Sequence, residues 1–270
     1  QVADDQQTAD RKTQRRILRR QELRQQFDKD GDGKLNDQEK KAFQQHLQDR
    51  QVSASRPAPA AIPPGVKRIA DIPYAHVGSG PLLLDVFLPK EAKSPVPVII
   101  WVHGGAWVTG NKEQCPVLSF ASNGYAVVSI NYRLTGTAQF PAQINDCKAA
   151  VRWIRAHAAE YGFDPDHIGA CGGSAGGHLV ALLGTTGGVK ELEGNVGGNL
   201  EFSSRVQAVS DFCGPTDFVR EEYVKESAST QPAILESALI KLIGGSWEEK
   251  REMARMASPI YFVSRDDPPF

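Results

Sequence analysis

The sequence predicts an α/β protein whose main domain holds a mostly parallel sheet flanked by helices. From Ile69 onward, apolar strand-like runs alternate with helix-like runs, a pattern typical of parallel α/β sheets. The middle strands are continuously apolar, as in the run from Val96 to Val102, which indicates strands buried on both faces. Two glycine-rich turns follow such strands, and sheets of this class carry their chemistry at the carboxyl ends of the strands.

The predicted elements follow from this alternation. We expect strands over residues 69–77, 82–88, 96–102, 126–133, 167–172 and 206–213, and helices over residues 112–123, 141–160 and 175–184. Residues 50–66 contain four prolines and Gly65, which predicts a semi-extended linker. The predicted organisation is a small helix-loop-helix over residues 1–49, a proline-rich linker over 50–66, and the main domain over 67–270.

Composition excludes some function classes and leaves the compartment open. The 270 residues have a formal net charge of −1, which offers no overall attraction to nucleic acid or to an acidic membrane surface. No apolar run approaches the roughly 20 residues of a transmembrane helix. The four cysteines lack metal-like spacing; buried thiols are expected, and a disulfide involving Cys171 or Cys213 stays open. The chain begins at Gln1, which fits removal of a secretory signal and other trimming equally well; the expectation is a secreted or periplasmic protein.

The segment before the linker resembles an EF-hand calcium loop over residues 28–39, between helices predicted over 9–27 and up to about His46. Three carboxylates crowded in one short loop repel one another unless a cation lies between them, and hard oxygen ligands suit Ca²⁺. Gly33 occupies the sharp turn, and Lys34 would coordinate through its backbone carbonyl. The expected calcium ligands are Asp28, Asp30, Asp32, Lys34, Asn36 and Glu39. EF-hands usually pair and no second loop is present, so a dimer through this motif is one expectation.

Two glycine-rich runs carry the predicted chemistry of the main domain. Ser174 lies between glycines in Gly172-Gly173-Ser174-Ala175-Gly176, where an apolar strand meets a helix of small residues. A serine on such a sharp turn has an exposed hydroxyl and neighbours too small to block a substrate. The run His103-Gly104-Gly105-Ala106-Trp107 can present unblocked N–H groups to a developing oxyanion. Together the two runs predict a serine hydrolase.

With these motifs in order, residues 66–270 resemble an α/β-hydrolase of the hormone-sensitive-lipase-like group, close to bacterial acetyl- and feruloyl-esterases. The matching pieces extend from His103 through Asn131-Tyr132-Arg133-Leu134 and Phe163-Asp164-Pro165 to Gly177. The resemblance implies that Ser174 is the nucleophile and that the amides of Gly104, Gly105 and Ala175 form the oxyanion hole. Ala106 stands where the family usually has a third glycine.

The acid and the base of the expected triad are missing from the sequence. In this family an acid and then a histidine follow the serine, yet no histidine occurs after His178. Asp211 and Asp217 are poor candidates for the acid, because the family's acid lies later. The resemblance therefore predicts a C-terminally incomplete hydrolase sheet, with an exposed apolar edge that offers a second route to a dimer.

Several tempting side chains have a structural interpretation. His103 is expected to orient the oxyanion loop, and His178 to pack beneath the turn at Ser174. For Trp107 a role in lining the acyl or alcohol pocket and a role in the core are equally supported.

The leading hypothesis is a serine carboxylesterase that cleaves short-chain or aromatic acyl esters, free or linked to polysaccharide, with no cofactor beyond Ca²⁺ at the EF-hand loop. Whether this chain is itself an active enzyme stays open, because the triad is incomplete. The main alternative is a truncated, catalytically inactive hydrolase-like binding protein. A peptidase on the same fold is weaker, because nothing in the sequence indicates the extra domain that gates peptides in such enzymes.

Overall fold

The computed structural model describes residues 35–36, 39, 60–91, 95–219 and 232–270. The chain divides into two units, Gln1–Pro57 and Ala58–Phe270. The helices predicted over 9–27 and up to His46, and the expected ligands Asp28, Asp30, Asp32 and Lys34, lie outside the described residues. None of the described helices is both long and apolar enough to cross a membrane.

The described part of the second unit forms a six-stranded sheet in the order β1-β2-β4-β3-β5-β6. The strands are β1 Val66–Val77, β2 Gly80–Pro89, β3 Val96–Val102, β4 Ala126–Ile130, β5 Phe163–Gly173 and β6 Ala208–Phe212. The first two pairings, β1 with β2 and β2 with β4, are antiparallel, and the pairings among β4, β3, β5 and β6 are parallel. The predicted mostly parallel sheet flanked by helices is confirmed.

Helices and 3-10 turns cover this sheet. The α-helices are α1 Ala142–Ala156, α2 Ala158–Tyr161, α3 Ala175–Thr185, α4 Lys190–Glu193, α5 Pro232–Ile243 and α6 Arg251–Met256; the 3-10 helices are η1 Leu118–Asn123 and η2 Pro259–Phe262. Side chains of α1 and α3 pack in the larger apolar cluster, with strand residues such as Ile100 and Val128. A smaller cluster joins η1 to the other strand positions, including Trp101 and Val127. Alternate residues of the strands thus pack into two apolar cores, one on each face of the sheet.

Two of the predicted helices differ from the observed ones. The helix expected over 112–123 is a 3-10 helix that begins only at Leu118, because Lys112 and Gln114 are fixed by hydrogen bonds to the sheet instead. The Trp101 indole donates to the Gln114 carbonyl at 2.6 Å, and the Ser129 hydroxyl donates to the Lys112 carbonyl at 2.6 Å. The helix expected over 141–160 is interrupted at His157, which caps α1 and precedes α2.

A buried ionic cluster fixes the segment that follows β3. Asp85 has no exposed surface in β2, and its carboxylate accepts hydrogen bonds from Lys112 Nζ at 2.7 Å and from Arg68 Nη2 at 2.6 Å. Lys112 Nζ also lies 2.7 Å from the Asp71 carboxylate. Because a buried charge needs partners, this cluster ties β1, β2 and the segment after β3 to one another.

The exposed apolar edge expected at β6 is partly covered, because the Val209 N–H donates to the Pro269 carbonyl at 3.0 Å. Phe212 is 53% exposed, and a groove of about 660 Å³ runs along the face of β3, β5 and β6 beside η1. Its walls include Phe120, Tyr125 and Val209. The dimer expected through this edge or through the EF-hand stays a prediction.

The first turn of α3 makes a contact that tolerates only glycine. A Cβ added to Gly176 would collide with the Val102 carbonyl oxygen, and backbone atoms of a central strand cannot move aside. We expect Gly176→Ala to lower the free energy of unfolding by about 3 kcal/mol. Gly136→Ala is the matched control, because a Cβ there meets nothing within 4 Å, and its unfolding free energy should change by less than about 0.5 kcal/mol. Urea denaturation of both variants tests the contact, and equal losses would contradict it.

Candidate active site

Ser174 occupies a sharp turn between the end of β5 and the start of α3. Its backbone has φ 54° and ψ −119°, a strained conformation for a residue with a side chain, and the residue is exposed. The Ser174 N–H donates to the Phe212 carbonyl of β6 at 2.8 Å, and the Ser174 carbonyl accepts from His178 N–H at 2.9 Å. Strand β6 and helix α3 therefore hold the serine in its strained turn, as strained functional residues require.

The two predicted glycine-rich runs meet at the same edge of the sheet. β3 pairs in parallel with β5, and Val102 lies opposite Gly172 in the register. A Cβ placed on Gly104 would lie 3.5 Å from Ser174 Cβ and 2.7 Å from the Gly173 carbonyl oxygen. The structure thus brings the predicted oxyanion loop directly beside the predicted nucleophile, an approach that only glycine permits at position 104.

Three N–H groups near Ser174 are available to a ligand. Within the described residues, no hydrogen bond uses the N–H of Gly104, Gly105 or Ala175. Ala175 is the first residue of α3, where a helix leaves N–H groups unpaired and its dipole favours negative charge. Donors of this kind beside a nucleophilic oxygen can stabilise the oxyanion of a tetrahedral intermediate.

His103 is held by contacts around the predicted oxyanion loop, the run His103-Gly104-Gly105-Ala106-Trp107. Its imidazole is 1% exposed and stacks on Tyr132 with ring centroids 4.3 Å apart, and its Nδ1 lies 2.8 Å from the Gly104 carbonyl oxygen. The Tyr132 hydroxyl donates to the His103 carbonyl at 3.0 Å. Burial lowers the His103 pKa to about 4, so the ring is neutral near pH 7. The orienting role expected for His103 agrees with these contacts.

His178 and Trp107 form a buried pair behind the turn. Trp107 Nε1–H donates to His178 Nδ1 at 3.1 Å, and His178 Nε2 lies 2.6 Å from the Ala257 carbonyl oxygen. His178 is fully buried and Trp107 is 1% exposed. Burial lowers the His178 pKa to about 4. His178 therefore packs behind Ser174, as expected, and Trp107 belongs to the core.

The loop after β4 is braced by a buried carboxylate that the sequence pattern did not single out as structural. Asp146 of α1 has no exposed surface and accepts from Arg133 Nη2 at 2.6 Å and from Arg133 N–H at 2.9 Å. Gln143 Nε2 donates to the Arg133 carbonyl at 3.0 Å. These bonds hold the Tyr132 ring in place against His103. The signal for this brace is an aspartate on the apolar face of a predicted helix.

Both weak candidates for the triad acid accept hydrogen bonds from nearby backbone N–H groups. Asp211 Oδ1 accepts from the Gly214 N–H at 2.7 Å. Asp217 is 6% exposed and accepts from the Val219 N–H at 2.9 Å. Both carboxylates fix the backbone turn after β6.

The described cysteines are free thiols, three of them buried and Cys213 exposed. Burial raises the pKa of the Cys115 thiol to about 12, so it is an inert core residue.

Two of the expected calcium ligands are described. The Asn36 N–H donates to Glu39 Oε2 at 2.9 Å, and the Glu39 N–H donates to Asn36 Oδ1 at 3.1 Å. This reciprocal pair has the pattern of a capping box, a motif of helix N-termini, and Glu39 itself is helical. No group of three or more His, Cys, Asp or Glu in the described ranges is arranged to hold a metal ion. Calcium binding by residues 28–39 stays a prediction.

Comparison with known proteins identifies the family. The BD-FAE family matches residues 84–270, which is more than half of the chain and includes Ser174 and the oxyanion loop. The chain belongs to the BD-FAE family.

The curated relatives of this BD-FAE domain are esterases. It is 37% identical over 177 residues to the probable carboxylic ester hydrolase LipM of Mycobacterium tuberculosis, covering 64% of this chain and 39% of LipM. It is 33% identical over 224 residues to esterase LipC of the same organism, covering 79% of this chain and 54% of LipC. The chain thus spans about half the length, or less, of these two relatives.

A solved structure supports the same fold. A truncated carbohydrate esterase from gut microbiota superposes with a TM-score of 0.65 at 36% identity, over 78% of this chain and 77% of its own. The neighbours of this kind are α/β-hydrolase esterases, so the predicted hydrolase resemblance of the BD-FAE domain is confirmed.

The two buried histidines make the stability of the domain dependent on pH. Their folded-state pKa is about 4 against an ordinary value near 6.5, so as pH falls between these values the unfolded chain binds protons that the folded chain does not. We expect the free energy of unfolding to fall by up to about 1.4 kcal/mol per pH unit for each histidine between pH 6.5 and 5.

Urea denaturation at pH 7.5, 6.5, 5.5 and 5.0 measures this slope. His178→Gln should be less stable at pH 7.5 yet have a shallower pH dependence, because one titrating site is gone. His76→Gln is the control for replacing a histidine outside this buried pair, because His76 is exposed on β1. A His178→Gln slope equal to the parental one would contradict the assignment.

Proposed function

We propose that this BD-FAE domain hydrolyses carboxylic esters through an acyl-enzyme formed on Ser174. The observation that carries the proposal is the exposed, strained Ser174 beside three unengaged N–H groups, from Gly104, Gly105 and Ala175. Relatives named as carboxylic ester hydrolase and esterase support the same chemistry.

The proposed reaction has two steps at one oxygen. Ser174 Oγ attacks the ester carbonyl carbon, and the carbonyl oxygen becomes an oxyanion that accepts hydrogen bonds from the three N–H groups. The carbon–oxygen bond to the alcohol then breaks, and the alcohol leaves with a proton. Water attacks the acyl-serine in the second step, which releases the carboxylic acid and restores the hydroxyl.

The proton acceptor for Ser174 is not found among the described residues. His103 and His178 are buried and weakly basic, and both are engaged in structural contacts. His76 lies on β1, which three strands separate from β5, and His157 and His167 lie at the end of α1 and in the first half of β5. The described residues therefore offer the proposed nucleophile and the proposed oxyanion donors, and none of the described histidines is placed to act as the general base.

The proposed substrates are short-chain or aromatic acyl esters, including acyl groups carried on polysaccharide. Support for the polysaccharide class comes from solved neighbours named as a bifunctional GH43-CE protein and a carbohydrate esterase. Oxyanion donors act on the ester carbonyl alone, so they set the reaction type and leave the choice of acyl group to the surrounding surface.

We also propose that residues 28–39 bind Ca²⁺ as a single EF-hand loop. The reciprocal hydrogen bonds between Asn36 and Glu39 support this, because they form a capping box, the motif that begins a helix, at the point where an EF-hand loop passes into its second helix. Glu39 is 6% exposed, so this carboxylate is sheltered from bulk water. Bound calcium would neutralise the crowded loop carboxylates and order the loop.

Hydrolysis of p-nitrophenyl acetate tests the esterase proposal. We expect the 270-residue chain to release p-nitrophenol at least about tenfold faster than Ser174→Ala, because the variant lacks the nucleophile. Ser122→Ala, which changes another exposed serine, should keep the parental rate. Mass spectrometry after treatment with a fluorophosphonate should locate the adduct on Ser174.

A parent chain no faster than Ser174→Ala, with no adduct on Ser174, would overturn esterase activity for this polypeptide. The alternative of a hydrolase-like binding protein without catalytic activity would then take its place.

Titration calorimetry of Ca²⁺ into the full chain tests the EF-hand proposal. We expect Glu39→Gln to weaken calcium binding at least about tenfold, because it removes the bidentate carboxylate that closes the loop. Lys34→Ala is the matched control and should bind like the parent, because position 34 is expected to use its backbone carbonyl. No heat beyond dilution for the parent would count against the loop.

A further inference from the structure

We propose that His178 is a positioning residue for the oxyanion hole, which fixes the loop carrying Gly104 and Gly105 against the helix that begins at Ala175. The inference rests on the proposed function, because that function gives the oxyanion hole its role. The contacts that join the loop to the helix through His178, here called the link, can be measured without turnover.

The link is a buried chain of hydrogen bonds through one imidazole. Trp107 Nε1–H donates to His178 Nδ1 at 3.1 Å, and His178 Nε2–H donates to the Ala257 carbonyl at 2.6 Å. An indole nitrogen only donates and a backbone carbonyl only accepts, so both bonds exist together in a single neutral tautomer, with the proton on Nε2. Neither an imidazolium nor the other tautomer satisfies both partners.

Trp107 and His178 each lie close in sequence to donors of the proposed oxyanion hole. Trp107 follows Gly105 by two residues, and His178 lies one helical turn beyond Ser174 and Ala175, with its N–H on the Ser174 carbonyl at 2.9 Å. The donors of the oxyanion hole come from two separate segments, the loop after β3 and the start of α3. The Trp107–His178 bond joins those two segments through side chains immediately behind the donors.

Strain in the oxyanion loop calls for such a fixed point. Ala106 and Trp107 both have positive φ, 53° and 58°, which costs conformational energy for residues with a Cβ. A strained backbone persists only where its surroundings over-determine it. The ring of Trp107 is held at 1% exposure, with its edge against His178 at a centroid distance of 5.2 Å, so the pair clamps the loop in this conformation.

Phe218 and the segment at Ala257 and Ser258 pack against the Trp107–His178 pair. Phe218 packs on both rings, with centroid distances of 5.9 Å to Trp107 and 5.1 Å to His178. The Phe218 N–H donates to the Ser258 hydroxyl at 2.9 Å, one residue beyond the Ala257 carbonyl that receives the imidazole proton. The segment between α6 and η2 therefore fixes the tautomer of His178, and through it the oxyanion loop.

The test compares three substitutions at the link with one substitution at another histidine–tryptophan pair. Trp107→Phe keeps an aromatic ring but removes the donor to Nδ1. His178→Gln offers one acceptor and one donor, and His178→Leu offers neither. The control is His157→Gln, because His157 stacks on Trp153 at 4.3 Å and so also accompanies a tryptophan, at the end of α1 and outside the link.

The first measurement is structural and needs no catalysis. Crystal structures and amide resonances of the full chain should show Gly104 and Gly105 displaced relative to Ala175 by about 0.5 Å or more in Trp107→Phe and His178→Leu, and less in His178→Gln. His157→Gln should leave these three amides unchanged. Parental positions for all three amides in Trp107→Phe and His178→Leu would overturn the inference.

The second measurement separates positioning from general damage to the fold. At a temperature where every variant is folded, kcat for p-nitrophenyl acetate should fall about 10- to 100-fold in Trp107→Phe, with KM changed less than about twofold. A parallel loss in His157→Gln would overturn the inference. If the parent chain does not turn over ester, the proposed function fails while the amide positions still decide the role of His178.

Discussion

The site depends on the close approach of helix α3 to the carboxyl end of β3. Gly176 lies where a Cβ would strike the Val102 and His103 carbonyl oxygens, so the first turn of α3 rests directly on the strand that carries the oxyanion loop. That contact fixes the separation between Ser174, at the start of α3, and Gly104, at the end of β3. A wider gap would keep the fold but move the donors away from the nucleophile, and oxyanion stabilisation falls steeply with such displacement.

Buried polar side chains that carry no charge then hold this geometry in place. His103 and His178 are neutral because burial lowers their pKa, and each engages backbone oxygen or indole nitrogen. Further from the site, the buried Asp146 carboxylate is paired with the Arg133 guanidinium. Because the groups nearest the proposed oxyanion hole are neutral, the local electric field is set mainly by the N–H dipoles. This arrangement favours a developing oxyanion.

The sequence predicted most of the sheet and the two halves of the site, because both depend on local signals. Continuous apolar runs mark the strands, and Gly172-x-Ser174-x-Gly176 after such a run marks a tight turn into a helix. The helix expected over 112–123 was wrong before Leu118, because Lys112 bonds to Asp85, 27 residues earlier in the chain, instead of extending a helix. The bond from Trp107 to His178 spans 71 residues and has no local signature. Such pairings are set by tertiary packing, which periodicity does not register.

The electrostatic half of the proposed chemistry is assembled independently of the base. The proposed oxyanion donors come from the loop after β3 and from the start of α3, and the Ser174 N–H is already fixed on the Phe212 carbonyl of β6. Preorganised donors need no proton transfer to be in place, whereas a serine hydroxyl needs a base to become a strong nucleophile. The described residues therefore contain the proposed nucleophile and the proposed oxyanion donors, while the proposed attack by Ser174 also needs a proton acceptor, which none of the described histidines is placed to provide.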